Sequence, residues 1–288
     1  MNAEVRSYAK VNLWLRVAGR RADGFHDIET VFHTISLHDD LRIEAVDSTV
    51  EVAMSPHVEA NLAERAARAL ASRAGSEAGA RIDIRKSIPL GAGLAGGSGN
   101  AAAVLIALNE LWGLQLSRGD LLTMAADLGS DVPFLLEGGT SLGLGRGERL
   151  VRLEQPPRMW FVLGISTTGL STGAVYEAWR QGSTGPSLDE FHAALEIGRV
   201  EEIAQLIRND LEGPACELRP ELADKKASMV TAGALGSFIS GSGPTVVGIA
   251  RDERHARSIA TNIREGFDRT EVVHSHPSGV EWEGRAPL

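Results

Sequence analysis

The sequence predicts an α+β protein built as two halves around one cleft. Apolar–polar alternation at residues 5–7, 11–17, 27–37, 41–45 and 50–53 reads as half-buried strands. Apolar residues at helical spacing follow, most densely behind a glycine-rich stretch at 89–100. At 288 residues the chain is long enough for two modest domains, and Gln155-Pro156-Pro157-Arg158 is the expected break between 1–154 and 155–288.

Each element has a local reason. In the second strand Val11, Leu13, Leu15 and Val17 alternate with Asn12, Trp14 and Arg16, and residues 19–24 make a turn-rich connection. Residues 61–74 form an alanine-rich amphipathic helix, and 81–85 a strand that runs through Ser87 into the glycines. The helix behind them ends near Gly113. Ser117 caps a helix over 121–128, and Ser130 is the expected N-cap of a short helix with Pro133 in its first turn. A hairpin spans 140–153 across Gly145-Arg146-Gly147. The second half carries strands at 160–165 and 269–274, a strand–turn–strand unit at 235–250, and helices at 171–180, 188–196, 200–208, 219–232 and 253–265. A small sheet mixed with helices keeps this half α+β as well.

Composition narrows the function. The net charge of −9 argues against a nucleic-acid partner, which calls for a basic face. A single cysteine, Cys216, excludes internal disulfides and a cysteine-based zinc site, and fits a reducing cytoplasm. The N-terminus lacks an apolar leader, and no window approaches the length of a membrane span, so no membrane partner is expected.

The chemistry centres on Pro89-Leu90-Gly91-Ala92-Gly93-Leu94-Ala95-Gly96-Gly97-Ser98-Gly99-Asn100. Glycines let a ligand approach the backbone, and a helix start offers free N–H groups and a positive dipole end. Phosphate is the anion this suits best. A Walker A loop is absent, because the nearest lysine, Lys86, precedes the glycines. Gly91, Gly93 and Gly96 match a dinucleotide fingerprint, but Gly97-Ser98-Gly99 then makes a poor first helical turn. The protein-kinase signatures H-R-D and D-F-G do not occur. A wide glycine loop around a triphosphate remains, with the Ser98 hydroxyl facing phosphate or Mg²⁺.

Further residues carry weaker signals. Lys10 and Asn12 share a strand face, and an interior lysine needs a partner or ligand. Asp131 stands at a helix start, either as a plain cap or as a base. Gly241-Ser242-Gly243-Pro244-Thr245 is either a bare hairpin turn or a second phosphate-facing loop. Phe25, His26, Phe32 and Tyr176 lie near loop or strand ends in a chain with 5% aromatics, so each is weighed as a base-stacking ring against core packing. His274 and His276 have no third metal ligand in view and read as surface histidines.

Taken in order, Lys10-Val-Asn-Leu, Arg20-Arg-Ala-Asp-Gly-Phe-His26, the loop 89–100, Leu128-Gly-Ser-Asp-Val-Pro133 and Gly241-Ser-Gly-Pro-Thr245 resemble the GHMP kinase superfamily from about residue 5 to 275. The Lys10 segment and the stretch 20–26 narrow the resemblance to its members that act on a cytidine-diphosphate-linked alcohol. It implies a ribosomal-S5-like N-terminal domain and a ferredoxin-like C-terminal one. The implied reaction is ATP-dependent phosphorylation of the 2-hydroxyl of a methylerythritol unit, in the non-mevalonate route to isoprenoid precursors. A GHMP kinase acting on mevalonate, homoserine or a sugar is the alternative.

The resemblance also implies roles, with ATP and Mg²⁺ as cofactors. Asp131 is the general base and Lys10 its cationic partner. Residues 89–99 surround the ATP phosphates and Asn61 lies near the adenine. His26 recognises cytosine, Phe32 and Tyr176 stack on it, Phe25 and Asn12 lie nearby, and Gly241, Ser242 and Gly243 face the substrate. Four positions depart from the family pattern: Phe25 replaces a more frequent tyrosine, Ala92 and Ala95 replace glycines, and Gly99 replaces a second serine. Ser98 is then the one hydroxyl left in the loop for Mg²⁺. The chain is expected to act as a monomer or homodimer.

Overall fold

Two long antiparallel strands, β1 (Asn2–Arg20) and β2 (His26–Asp47), form the spine of the N-terminal half in the computed structural model, which describes residues 2–74, 78–182 and 184–282. They are longer than the sequence pattern predicts. Residues 8–10, which separate the two short strands read at 5–7 and 11–17, continue β1 and are buried with the rest of 7–15, so the strand runs on where no alternation marks it. Register shifts at Tyr8/Ala9, Asn12/Trp14 and Val17/Gly19 break the pattern further.

The rest of this half follows the expected order. It comprises β3 (Val50–Met54), α1 (Leu62–Ala74), β4 (Ala78–Arg85), α2 (Gly96–Leu111), α3 (Arg118–Leu128), α4 (Val132–Glu137), β5 (Thr140–Gly145) and β6 (Arg149–Arg152). Of the sixteen residues of α2, twelve are buried, so it serves as the central core helix rather than an amphipathic cover. Its core joins Leu41, Ile43 and Ile82 of the sheet to Leu70 of α1 and Phe134 of α4.

Two helix starts differ from expectation. α2 begins at Gly96, so Gly97, Ser98 and Gly99 do form its first turn. A tertiary environment that buries the helix overrides the poor local propensity of glycine. The N-cap of α4 is Asp131 and not Ser130, with Pro133 in the first turn as predicted. Ser117 caps α3 through a capping box with Asp120.

The second half contains β7 (Trp160–Ile165), α5 (Thr172–Ala178), α6 (Leu188–Ile197), α7 (Val200–Gln205), β8 (Arg208–Asn209), α8 (Glu212–Leu218), α9 (Glu221–Thr231), β9 (Gly236–Ile239), β10 (Val246–Ala250), α10 (Glu253–Ile263), β11 (Arg269–His274) and β12 (Val280–Trp282). An antiparallel sheet of order β11-β7-β10-β9 is its base. β8 and β12 leave this half and join β1 in the first sheet. These two strands and α8 escape the sequence pattern: the strands are two and three residues long, and α8 carries Gly213 and Pro214 in its first turn. A core cluster of Val11 and Leu13 from β1 with Phe161, Leu163 and Val247 binds the halves together.

Candidate active site

One cleft of about 830 Å³ gathers residues from both halves. Its floor is the covered middle of β1. The Lys10 side chain is 5% exposed there, and its ammonium lies 3.5 Å from Asp131 Oδ2. It donates to Asn12 Oδ1 at 2.7 Å and to the Gly93 carbonyl at 3.2 Å. Three oxygens thus surround the three ammonium hydrogens, which answers the demand of a buried cation for partners. Asn12 passes the network on, donating to Thr30 Oγ1 at 2.8 Å, and that hydroxyl donates to the Trp14 carbonyl at 2.8 Å.

Asp131 occupies the N-cap position of α4, yet its side chain makes no capping bond. The carboxylate turns toward Lys10 instead, which removes the plain-cap reading. Its charge also reaches Tyr176: burial first, then Asp131, pushes the Tyr176 phenol above its ordinary value.

The glycine loop forms one wall. Pro89, Gly91, Ala92, Gly93, Ala95, Gly96, Gly97 and Ser98 line the cleft. Three expected members face elsewhere. Leu94 is fully buried in the core, Leu90 is 42% exposed away from the cleft, and Gly99 packs against the backbone of β1. At Gly93 φ is +76°, and a Cβ there would stand 2.3 Å from the Ser240 carbonyl oxygen. This close contact between the loop and the turn after β9 requires glycine. Ser240 Oγ donates to the same Gly93 carbonyl at 3.0 Å.

That second turn is more than a bare hairpin tip. Gly241 and Ser242 line the cleft, while Gly243 sits behind them against Ile239. Asn209 of β8 holds the turn by donating to the carbonyls of Ile239 and Gly241, at 2.8 and 2.7 Å. Sequence reasoning passed over Asn209 and Ser240, since neither lies in a recognisable spacing.

The opposite end is aromatic and basic. His26 stacks on Tyr176 with centroids 5.0 Å apart, and Trp179 meets His26 edge-on at 5.8 Å. Burial and the neighbouring Arg20 hold the His26 imidazole below its ordinary pKa. Phe25 is 53% exposed, with the Arg146 guanidinium 5.0 Å from its centroid. Arg20, Arg146, Trp179 and Arg180 also line this end, and none was given a role from the sequence. Trp179, the C-cap residue just past α5, follows Tyr176 by three residues, a spacing that could have flagged it.

Three expectations need correction. Phe32 touches the cleft but is 1% exposed, its ring stacked on Phe134 at 4.9 Å, so it is a core residue without an open stacking face. Asn61 does not line the cleft; its Oδ1 accepts from the Ala63 N–H at 2.9 Å, capping α1, and Leu62 is the residue that reaches the cavity. His274 and His276 are half-buried rather than fully exposed. His276 stacks on Tyr8 at 3.6 Å and His274 packs edge-on against Trp160.

Among the described residues no cluster of three or more His, Cys, Asp or Glu could hold a metal ion. No helix there is long and apolar enough to cross a membrane.

Comparison with known proteins identifies the family. Residues 61–139 match the GHMP kinases N terminal domain and 191–269 the GHMP kinases C terminal domain. A 4-diphosphocytidyl-2-C-methyl-D-erythritol kinase of Pelotomaculum thermopropionicum is 43% identical over 274 residues, covering 93% of this chain and 96% of that one. That of Moorella thermoacetica is 42% identical over 278 residues, covering 93% and 97%. The chain belongs to the 4-diphosphocytidyl-2-C-methyl-D-erythritol kinase family of GHMP kinases.

A crystal structure of 4-(cytidine 5'-diphospho)-2C-methyl-D-erythritol kinase superposes with a TM-score of 0.83 at 37% identity, covering 94% of this chain and 98% of that one. A homoserine kinase from Cytophaga hutchinsonii superposes at 0.74 with 21% identity, covering 98% and 97%, and shares the fold alone. As a GHMP kinase, a member of the 4-diphosphocytidyl-2-C-methyl-D-erythritol kinase family uses ATP as the phosphoryl donor.

Proposed function

We propose that this chain transfers the γ-phosphoryl group of ATP to the 2-hydroxyl of 4-diphosphocytidyl-2-C-methyl-D-erythritol, giving the 2-phosphate and ADP. The observation that carries this reading is the Lys10–Asp131 pair, 3.5 Å apart between a phosphate-type glycine loop and an aromatic, arginine-lined pocket end. The family supplies the acceptor; the geometry supplies the chemistry.

Asp131 receives the proton of the acceptor hydroxyl as that oxygen bonds to the γ-phosphorus. The bond from phosphorus to the β–γ bridging oxygen breaks, and ADP departs with its electron pair. A positioned base of this kind contributes about 10²–10⁴-fold. Lys10, fixed by Asn12 and Gly93, holds positive charge where the transferring group develops negative charge. The N–H groups of the loop and of the first turn of α2 meet the phosphates.

The donor set fits Mg²⁺ held mainly through the phosphates. Ser98, in the first turn of α2 and lining the cleft, is the hydroxyl of the glycine loop placed to assist. When bound, the ion neutralises charge on the phosphates. At the far end, Tyr176 and His26 receive the cytosine, with Phe25 and Trp179 closing the sides. The ATP-binding unit at 1–154 and its partner at 155–288 meet across this cleft, and use of ATP suits a cytoplasmic site of action.

A coupled ADP-release assay across acceptors tests the reading. Turnover of the diphosphocytidyl alcohol, with mevalonate and homoserine inert, is expected. Turnover of either of those without the diphosphocytidyl alcohol overturns it.

A further inference from the structure

A second polar cluster lies behind the glycine loop, outside the cleft. Asp39 of β2 has a fully buried side chain, and its pairing partner on β1 is Ser7. One carboxylate oxygen accepts two consecutive backbone N–H groups at the entrance to the loop, Ser87 at 2.7 Å and Ile88 at 2.8 Å. The other oxygen accepts from the Lys86 ammonium, itself 7% exposed at its side chain. With its amide oriented to donate, Asn100 of α2 lies 3.0 Å from that oxygen, 2.6 Å from Ser7 Oγ and 3.2 Å from the Gly96 carbonyl. A Cβ on Gly96 would stand 3.0 Å from the Lys86 ammonium, so the ion pair lies directly under the start of α2.

The phosphate loop is therefore gripped at both ends from below by one carboxylate. Its entrance, at residues 87 and 88, is tied through backbone N–H groups, and its exit, at Gly96, through Asn100. A backbone cradle binds phosphate by geometry, and glycines alone leave the chain free to sample other shapes. Burial of a paired charge is not needed for a stable core, since apolar residues of similar volume serve as well or better. Four donors converging on one carboxylate under a glycine loop call for another explanation.

We propose that Asp39 is a positioning residue for ATP: it acts through Ser87, Ile88 and Asn100 to hold the glycine loop in its phosphate-binding shape. The inference rests on the reading of the cleft as an ATP site. Asp39 touches no substrate, so its effect falls on the nucleotide and not on the acceptor pocket.

Two double variants isolate the acceptor oxygen from the buried charge. Asp39→Asn with Lys86→Met removes both charges and keeps an oxygen for Ser87 and Ile88; Asp39→Ala with Lys86→Met removes the oxygen too. The second pair is expected to raise the KM for ATP about tenfold or more over the first. The acceptor KM should stay within about twofold. Equal ATP KM values in the two, or ATP and acceptor KM rising together, overturn the proposal. Hydrogen exchange on the unaltered, ATP-free protein serves if either double variant fails to fold. Slow exchange of the Ser87 and Ile88 amides is expected, and exchange at the rate of an open loop overturns it. Absence of ATP turnover in the unaltered protein would instead remove the reading of the cleft itself.

Discussion

The Lys10 ammonium stands 3.5 Å from Asp131 Oδ2, with the lysine side chain 5% exposed and the carboxylate 31% exposed. One partner is sealed into the strand floor; the other still reaches solvent and therefore substrate. A base must meet an incoming hydroxyl, whereas a fixed cation need only keep its place. This asymmetry assigns the two roles.

Asp131→Asn removes the proton acceptor and leaves the glycine loop intact. Turnover should fall by about 10²–10⁴-fold. The dissociation constant for ATP, measured by calorimetry, should change little, because the loop amides lie in another element. A comparable loss of ATP affinity would place Asp131 in the nucleotide site instead.

Gly93→Ala meets two obstacles, a backbone at φ +76° and a Cβ position 2.3 Å from the Ser240 carbonyl oxygen. Left-handed backbone at a residue with a side chain costs about 1–3 kcal/mol. Thermal unfolding should show that loss together with a raised KM for ATP, because the loop must move away from the turn after β9. Unchanged stability and KM would show that the two loops do not need their close contact.

Phe32→Ala and Tyr176→Ala separate core from pocket. Phe32, stacked on Phe134 and almost fully buried, should cost about 3–5 kcal/mol of stability on truncation. Tyr176, half-buried against His26, should cost less stability than Phe32 but raise the acceptor KM by roughly 10–150-fold, the equivalent of a lost base stack of ~1–3 kcal/mol. Chemical denaturation and steady-state kinetics on both variants check the division, and the reverse pattern would exchange their roles.

His33 gives a pH signature. Burial lowers its pKa from 6.5 to about 3, while its ring nitrogens pair with the Thr140 hydroxyl at 2.8 Å and the Ser275 hydroxyl at 2.9 Å. Between those two values the unfolded chain binds the proton and the native chain does not. The His33 contribution to stability is therefore full above pH 6.5 and is lost as pH falls toward 3. At pH 5 the loss is about 2 kcal/mol relative to neutral pH. Denaturant unfolding of the His33→Gln variant should show a shallower decline over this window; an identical decline would mean that other groups govern it.

Much of this was legible in the sequence, and the exceptions have physical causes. The glycine loop, Lys10, Asn12, Asp131 and the turn at 241–245 lie in short motifs whose spacing survives in the fold, and the cleft brings them together. Phe32 and Asn61 were misread because residue type does not reveal burial: one is claimed by Phe134, the other by the start of α1. The great length of β1 was hidden because Tyr8-Ala9-Lys10, at a register shift against β2, breaks the alternation between its two legible pieces. Arg146, Asn209 and Asp39 escaped notice because their importance comes from partners far away in the chain. Asp39 and Ile88 are 49 residues apart, and Asn209 and Ile239 are 30. No local pattern encodes such contacts.

Phosphorus NMR of the reaction mixture tests the central claim most directly. Incubation of the diphosphocytidyl alcohol with ATP should yield ADP and one new phosphomonoester resonance, with the cytidine diphosphate linkage intact. Release of cytidine monophosphate, or ATP consumed with no new phosphomonoester, would contradict a base and cation at Asp131 and Lys10 that serve phosphoryl transfer to an alcohol.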